Sequence, residues 1–343
     1  MKTKTPNVSG RSAWLRDNIT KYFSFSAIII LLVALSLTQD NFLGTSNLKN
    51  LLRDTAPLMI MSAGMTMVLL FGSIDLSMGA VCSVSNVTYI HLKLAFQDSF
   101  SNPLLTSLAA MAVSLAFGLA SGLALGIIHV KLKVPSFIAS LGFMSLWQSV
   151  ALLITQNPES VPKALWGTVE WYKIAFGVVG LPLIVAIAII LFIHCVTRYT
   201  PSGRTIFAIG GNAEAARLAG INSNRIKIIC YVMTSVFAAM AGIILASRMF
   251  SGQPAASPNL HFDAITACNL AGVSMVGGVG SIPSVALGVI LVQAFNSGLN
   301  MAGVSQYWQY VARAALLFGS LAIDFYRQRN RQKKLLADSM KNL

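Results

Sequence analysis

The sequence predicts an all-α polytopic membrane protein with about ten transmembrane helices and both termini cytoplasmic. Three observations carry this. Apolar residues make up 55% of the 343 residues and charged residues only 10%, against about 25% charged in a soluble domain. Mean hydropathy is +0.69. Apolar runs close to the roughly 20 residues that a helix needs to cross the hydrocarbon core recur along nearly the whole chain. A soluble core cannot hide this much apolar surface, whereas lipid can. One membrane domain with no soluble domain attached is therefore expected, although length alone would allow two soluble domains.

The runs are Tyr22–Thr38, Ala56–Gly72, Ser77–Ala95, Leu104–Val130, Pro135–Thr155, Ala175–Val196, Ile228–Ser247, Asp263–Val276, Ile282–Leu299 and Gln306–Phe325. Asp263–Val276 is short and ends in Gly277, Gly278 and Gly280, which predicts a broken or tilted helix. Ala34-Leu35-Ser36 resembles a signal cleavage site. The 21-residue basic arm before the first run and the length of that run favour a retained span instead.

Orientation follows from Lys and Arg. The N-terminal arm, 1–21, carries Lys2, Lys4, Arg11, Arg16 and Lys21. The C-terminal tail, 326–343, carries Arg327, Arg329, Arg331, Lys333, Lys334 and Lys341. Placing both inside requires an even number of spans. Lys131, Lys133 and the loop cations Arg198, Arg204, Arg217, Arg225 and Lys227 then fall inside as well. Lys49, Arg53, Lys93, Lys163, Lys173 and Arg248 fall outside, giving eighteen against six, with Arg313 inside a span. The same distribution argues against nucleic-acid binding despite a net charge of +14. Cys82, Cys195, Cys230 and Cys268 lie in or at the ends of apolar runs without C-x-x-C spacing, so they read as small packing residues. His91, His129, His194 and His261 fall at span ends and read as interfacial packing.

The inside segment 198–227 is the longest internal connection in the permease region 22–325. Its middle has the marks of one short helix. Asn212 is a good N-cap, and Ala213, Ala215, Ala216 and Leu218 are strong helix formers. Glu214 lies near the positive helix N-terminus and can pair with Arg217 at i+3. Gly220 suits the left-handed position that ends a helix. A helix of seven or eight residues is marginal alone, so it must dock. Its own spans and a cytoplasmic partner are both open as the surface it docks on.

Intramembrane charges and amides are functional candidates. Asp75 lies between two spans, where it suits either an N-cap of the next span or the lining of a path. Arg313 either snorkels outward or pairs with a bundle carboxylate. A path for a polar solute wants neutral hydrogen-bonding groups, for which Ser77, Asn86, Asn269, Gln293 and Asn296 are placed, alongside the plainer reading of helix–helix bonding. Gly72-Ser73-Ile74 and Gly280-Ser281-Ile282 precede two different spans, a hint of an inverted internal repeat. Gly118, Ala120, Gly122, Ala124 and Gly126 suit close helix approach.

Glu214-Ala215-Ala216, three residues, then Gly220 resembles the coupling-loop core of ABC importer permeases. Gly203–Ile221 is most similar to the sugar-type branch, the ribose and xylose permeases, which is related to branched-chain amino-acid permeases. Gly72-Ser73-Ile74-Asp75-Leu76-Ser77-Met78-Gly79, Val134–Gly142 and Gly277-Gly278-Val279-Gly280-Ser281 resemble three further segments of that family. Ser73 and Ser140 stand where glycine and threonine are usual there. The resemblance covers roughly 45–325.

It implies a permease for a monosaccharide or similar small polar solute in the bacterial cytoplasmic (inner) membrane. The implied partners are ATP-binding-cassette ATPase subunits, a periplasmic binding protein and a second permease chain, identical or different, within the membrane lipid. It also implies coupling to the ATPase through Asn212, Glu214, Ala215, Ala216, Arg217 and Gly220. The chain has no G-x-x-x-x-G-K-[ST] loop. No cofactor is expected in it, with ATP and Mg on the partner ATPase. Branched-chain amino acids are the rival solutes. A gradient-driven transporter is the rival mechanism, and no metal-ligand or nucleophile–base set suggests an enzyme.

Overall fold

The computed structural model describes residues 29–39, 41–97, 102–176, 179–257 and 259–341. The predicted arm 1–21 lies outside the described residues. Twelve helices account for most of them. These are α1 (described over Ile29–Thr38), α2 (Thr45–Leu70), α3 (Met78–Ala95), α4 (Pro103–Lys131), α5 (Ser136–Ile154) and α6 (Leu181–Tyr199), then α7 (Pro201–Gly211), α8 (Ala213–Leu218), α9 (Ser223–Met249), α10 (Leu260–Leu270), α11 (Ile282–Met301) and α12 (Gln306–Lys341). Two strand pairs decorate one end, β1 (Glu159–Ser160) with β4 (Ser251–Gly252) and β2 (Ala175–Phe176) with β3 (Val179–Gly180), both antiparallel.

By length and composition α4, α5, α6, α9 and α11 can each cross a membrane. They present large apolar side chains outward, among them Leu119, Leu146, Leu153, Leu191 and Phe192. The interior combines a large apolar core, with Leu58, Met61, Met65 and Leu69 at its centre, with a set of buried polar groups. Ser62, Thr66, Asp75, Ser77, Ser83, Ser85 and Asn86 are all buried on α2, α3 and the turn between them. Apolar side chains facing outward, with polar groups buried between helices, is the arrangement expected where lipid is the solvent. The chain is an all-helical, multi-pass membrane protein.

α9 and α2 form the centre. α9 packs on α2, α3 and α4, and α2 also packs on α6, α10 and α11. Close approach depends on small residues. Gly118, Gly122 and Gly126 lie one turn apart on α4, and all three face α9. A Cβ on Gly122 would sit 2.6 Å from the Tyr231 carbonyl oxygen, and one on Gly126 3.1 Å from Ile228 Cα. With little hydrophobic drive between helices in lipid, such backbone contact supplies the van der Waals energy that holds them. Cys82, Cys230 and Cys268 are buried packing residues, and Cys195 is exposed.

The predicted short run at 263–276 differs in register. The helix is α10, Leu260–Leu270, and 271–281 is a turn. Gly272, at φ +84°, ends it by donating its N–H to Asn269. The missing half of this crossing lies before α10. From Phe250 the chain runs back along α3 without helix, through one turn that Ala256 N–H closes on the Gln253 carbonyl. Gln253 N–H donates to Asn86 Oδ1 (2.7 Å) and Ser257 Oγ donates to the Gly79 carbonyl (2.8 Å). Gly252 and Pro254 keep this stretch from winding into helix. At about 1.5 Å per residue, α10 covers roughly half of the ~30 Å core. His261, expected at a membrane interface, instead lies inside the bundle against Gly79 and is 2% exposed.

The two ends of the bundle are distinct. One gathers the Leu70 end of α2, the α4–α5 and α10–α11 turns, and α7 and α8. There Asp324 on α12 accepts from Met275 N–H. At the other end Arg248 pairs with Asp54, Ser297 Oγ bonds Asn47, and Lys93 Nζ donates to Ser107 Oγ. α12 continues as helix through the predicted tail as far as Lys341.

Candidate functional site: the coupling face and the polar interior

The loop 198–227 holds two helices rather than the one read from sequence. α7 was missed, although its start is legible. Thr200 caps it by accepting from Gly203 N–H (3.2 Å), and Pro201 follows in the first turn. Ile206 and Ile209, at i and i+3, bury its inner face.

α8 is built as its residues predict, over six residues. Asn212 Oδ1 accepts from Glu214 N–H (3.1 Å) and Ala215 N–H (2.9 Å). Arg217 makes two hydrogen bonds to the Glu214 carboxylate, at 2.6 and 3.1 Å. These hold the Glu214 carboxyl below its ordinary range and raise the Arg217 guanidinium. Gly220, at φ +77°, closes the helix. Its N–H donates to Arg217, and Ile221 N–H donates to Ala216. This double bond at a left-handed glycine is a Schellman ending. Ala216 is 4% exposed and faces the bundle, while Leu218 is 75% exposed. Glu214, Ala215, Arg217 and Gly220 are exposed with it. α8 is thus a firmly capped knob with a free outer face.

What lies under the knob was not legible. α7 ends at Gly210 and Gly211, and these pack on two remote turns at once. Gly278 N–H donates to the Leu70 carbonyl (2.8 Å), joining the α10–α11 turn to the end of α2. A Cβ on Gly210 would collide with that same Leu70 carbonyl. One on Gly72 (φ +77°) would sit 2.6 Å from the Val276 oxygen, and one on Gly277 2.7 Å from Gly72 N and 3.0 Å from Gly210 Cα. Three segments far apart in sequence meet backbone to backbone. Two are glycine motifs singled out from sequence. The third, Gly210-Gly211, lies within the 203–221 stretch singled out by resemblance, but nothing in the sequence pointed to its packing on the other two.

The candidate path residues are in the interior but do not form one cluster. Asp75 does not cap α3. Ser77 occupies the cap position without a side-chain cap bond, and Asp75 Oδ1 accepts from Ser77 N–H (2.9 Å) and Oγ (2.6 Å), locking the turn before the helix. Asn86 ties α3 to its neighbours, donating to the Gly242 carbonyl (3.2 Å) and accepting from Gln253. Asn269 is buried and neither of its amide atoms has a partner. Asn296 is buried on α11, reaches the Asp263 carboxylate, and leaves its own oxygen unpartnered. Gln293 is half-buried one turn before it. Arg313 on α12 pairs with Asp263 on α10 at 3.6 Å, the second of the two arrangements open to it.

A multi-pass helical bundle with buried polar groups and a capped, exposed knob at one end fits the class of membrane transport permeases. A family profile described as "Branched-chain amino acid transport system / permease component" matches residues 47–321. The ribose import permease protein RbsC of Escherichia coli (strain K12) is 35% identical over 329 residues, 94% of this chain and 99% of the relative. Its counterpart in Bacillus subtilis (strain 168) is 33% identical over 325 residues, 94% and 98% of the two chains. The L-arabinose transport system permease protein AraH of Escherichia coli (strain K12) is 32% identical over 313 residues, 90% and 92% of the two. The chain belongs to this family of transport-system permease components. It is a transport subunit and not an enzyme, and the matched region contains all four motifs and lies close to the roughly 45–325 over which the resemblance runs.

Proposed function

We propose that this chain is the membrane-spanning subunit of an ATP-binding-cassette importer that carries a monosaccharide or similar small polar solute across the bacterial inner membrane. Relatives named for ribose and L-arabinose support the sugar class. Energy comes from cytoplasmic ATPase subunits holding ATP and Mg. A periplasmic binding protein delivers the solute, and a second permease chain completes the path.

The observation that carries this reading is the seat of α8. The knob continues into α7, and α7 rests on the turns that launch α3 and α11. A partner that grips Glu214–Gly220 and moves would push both turns together, with little side chain between to absorb the movement. Interfaces packed this closely shift between discrete states rather than deform continuously. Counting α1 to α6, α9, the non-helical segment with α10, α11 and α12 as crossings supports ten. An even count would put both termini on the side of α8, and the eighteen-to-six distribution of cations supports a cytoplasmic location for that side. In the path, Asn269 and Asn296 are the strongest assignments, because each holds a buried amide atom with no partner in this state.

The test is a crosslink. A cysteine at the exposed Leu218 position, read in membranes containing the ATPase, should crosslink to that subunit and to nothing in the periplasm. Crosslinking to the binding protein instead would reverse the orientation and remove the reading.

A further inference from the structure

At the end of the bundle that carries α8, the α4–α5 turn and the first turns of α9 enclose a cavity of about 340 Å³ lined by His129, Lys133, Val134, Pro135, Asn224 and Lys227. Its wall is cationic. Lys133 is exposed and held in the left-handed region at φ 56°. Lys227 is half-buried, with its ammonium 5.8 Å from the Phe71 ring centroid. Lys131 and Arg225 flank the cavity at exposed positions. Among the described residues none of these four has a carboxylate within 4.0 Å. At this end of the bundle Glu214 is committed to Arg217, Asp324 to Met275 N–H and Gln328, and one oxygen of Asp75 to Ser77. α5 opens in the same wall at Pro135, and no side chain caps its first turn. Its free N–H groups add partial positive charge to that of the lysines.

The rim is of the opposite character. Leu132, Phe137, Ile138 and Ile229 are large, apolar and exposed around it. A cationic cavity bordered by exposed apolar side chains at the end of membrane-crossing helices fits a molecule with an anionic head and apolar tails. Basic pockets between spans take such headgroups.

We propose that this cavity binds the phosphate of an anionic phospholipid headgroup, with Lys133 and Lys227 on the phosphate and the acyl chains along Leu132, Phe137, Ile138 and Ile229. Which leaflet supplies the lipid rests on the orientation proposed above; the binding itself does not. Free inorganic phosphate shares the head chemistry but has nothing to lay on the apolar rim.

The experiment is native mass spectrometry of the full chain released from bilayers of phosphatidylglycerol or phosphatidylcholine. The variants are K133Q/K227Q, its charge-retaining counterpart K133R/K227R, and K49Q/K163Q at the opposite end. Helix content by circular dichroism confirms that each is folded. The wild type, the arginine variant and the opposite-end variant should retain a phosphatidylglycerol that K133Q/K227Q holds roughly 30-fold more weakly. Phosphatidylcholine retention should be the same in all four. Equal phosphatidylglycerol retention in wild type and K133Q/K227Q would overturn the site. Displacement of the lipid by equimolar inorganic phosphate would make it a free-anion site instead. Unchanged lipid retention with loss of ATPase copurification in K133Q/K227Q would assign the cavity to the partner protein. Lipid retention is read without the ATPase or solute, so failure of sugar uptake leaves this result standing. Outside-only labelling of a cysteine at position 131 would sink the proposed orientation while keeping the lipid site.

Discussion

At the scale of single residues, α8 stands on three features, and each makes a prediction. Gly220→Val forces a β-branched side chain into φ +77°, where only glycine is at ease. Asn212→Ala removes both first-turn hydrogen bonds, a loss of about 1 kcal/mol in a six-residue helix that has little to spare. Glu214→Lys puts a like charge beside Arg217 and at the wrong end of the helix dipole. All three should lower copurification with the ATPase while membrane insertion stays normal, with Gly220→Val the most severe. Normal assembly and normal uptake in Gly220→Val and Glu214→Lys would refute the coupling role. The pH dependence has a definite sign. The Glu214 pKa is depressed by Arg217, so the pair's contribution is present above the ordinary carboxylate range and fades as pH falls through the lowered value. Assembly measured across neutral pH should therefore not vary through this group. Gly210→Ala tests the seat rather than the knob. It should leave ATPase binding in place and cut uptake per ATP hydrolysed, because the added methyl must lift α7 off Leu70 and Gly278. Uptake and hydrolysis that remain in their wild-type ratio would contradict this.

At the scale of elements, the broken crossing before α10 is held by Asn86, which bonds both α9 and the non-helical segment. Asn86→Leu should destabilise the protein by about 1–3 kcal/mol for each group left unpaired, read as a lower unfolding temperature in detergent. An unchanged midpoint would mean that the segment is held elsewhere. Asp263 and Arg313 link α10 to α12 in the interior. Either single replacement, Asp263→Asn or Arg313→Met, should cost more than the pair together, since each leaves a charge unmatched. Additive losses would mean that the ion pair contributes nothing. How far such elements were readable depended on the kind of signal. Apolar runs placed α4, α5 and α11 to within two residues and α6 and α9 to within six, because lipid imposes a length. The run at 263–276 misled, because apolar composition continues through a glycine turn that ends the helix at Leu270. The non-helical half lacks any periodicity, and its order comes from hydrogen bonds to α3, which only tertiary structure supplies. α8 was legible because caps are local. The glycine seat beneath it was not, since it needs Leu70, Gly210 and Gly278 in one place.

At the scale of the whole molecule, one chain offers buried polar groups, a lipid-facing apolar surface and a single capped handle. On the proposed reading, force enters at the handle and a second permease chain stands beside the bundle. Asn269→Ala and Asn296→Ala should reduce solute uptake while assembly persists, because their unpartnered amides serve another conformation; uptake at wild-type rates in both would remove them from the path. The central claim is that energy enters through α8 from a partner that hydrolyses ATP. The most direct measurement is pentose uptake by vesicles reconstituted with this chain, its ATPase and its binding protein, with and without ATP hydrolysis and with and without an ion gradient. Uptake should require hydrolysis, ignore the gradient and be lost in Gly220→Val. Uptake that survives an inactive ATPase and collapses with the gradient would contradict it.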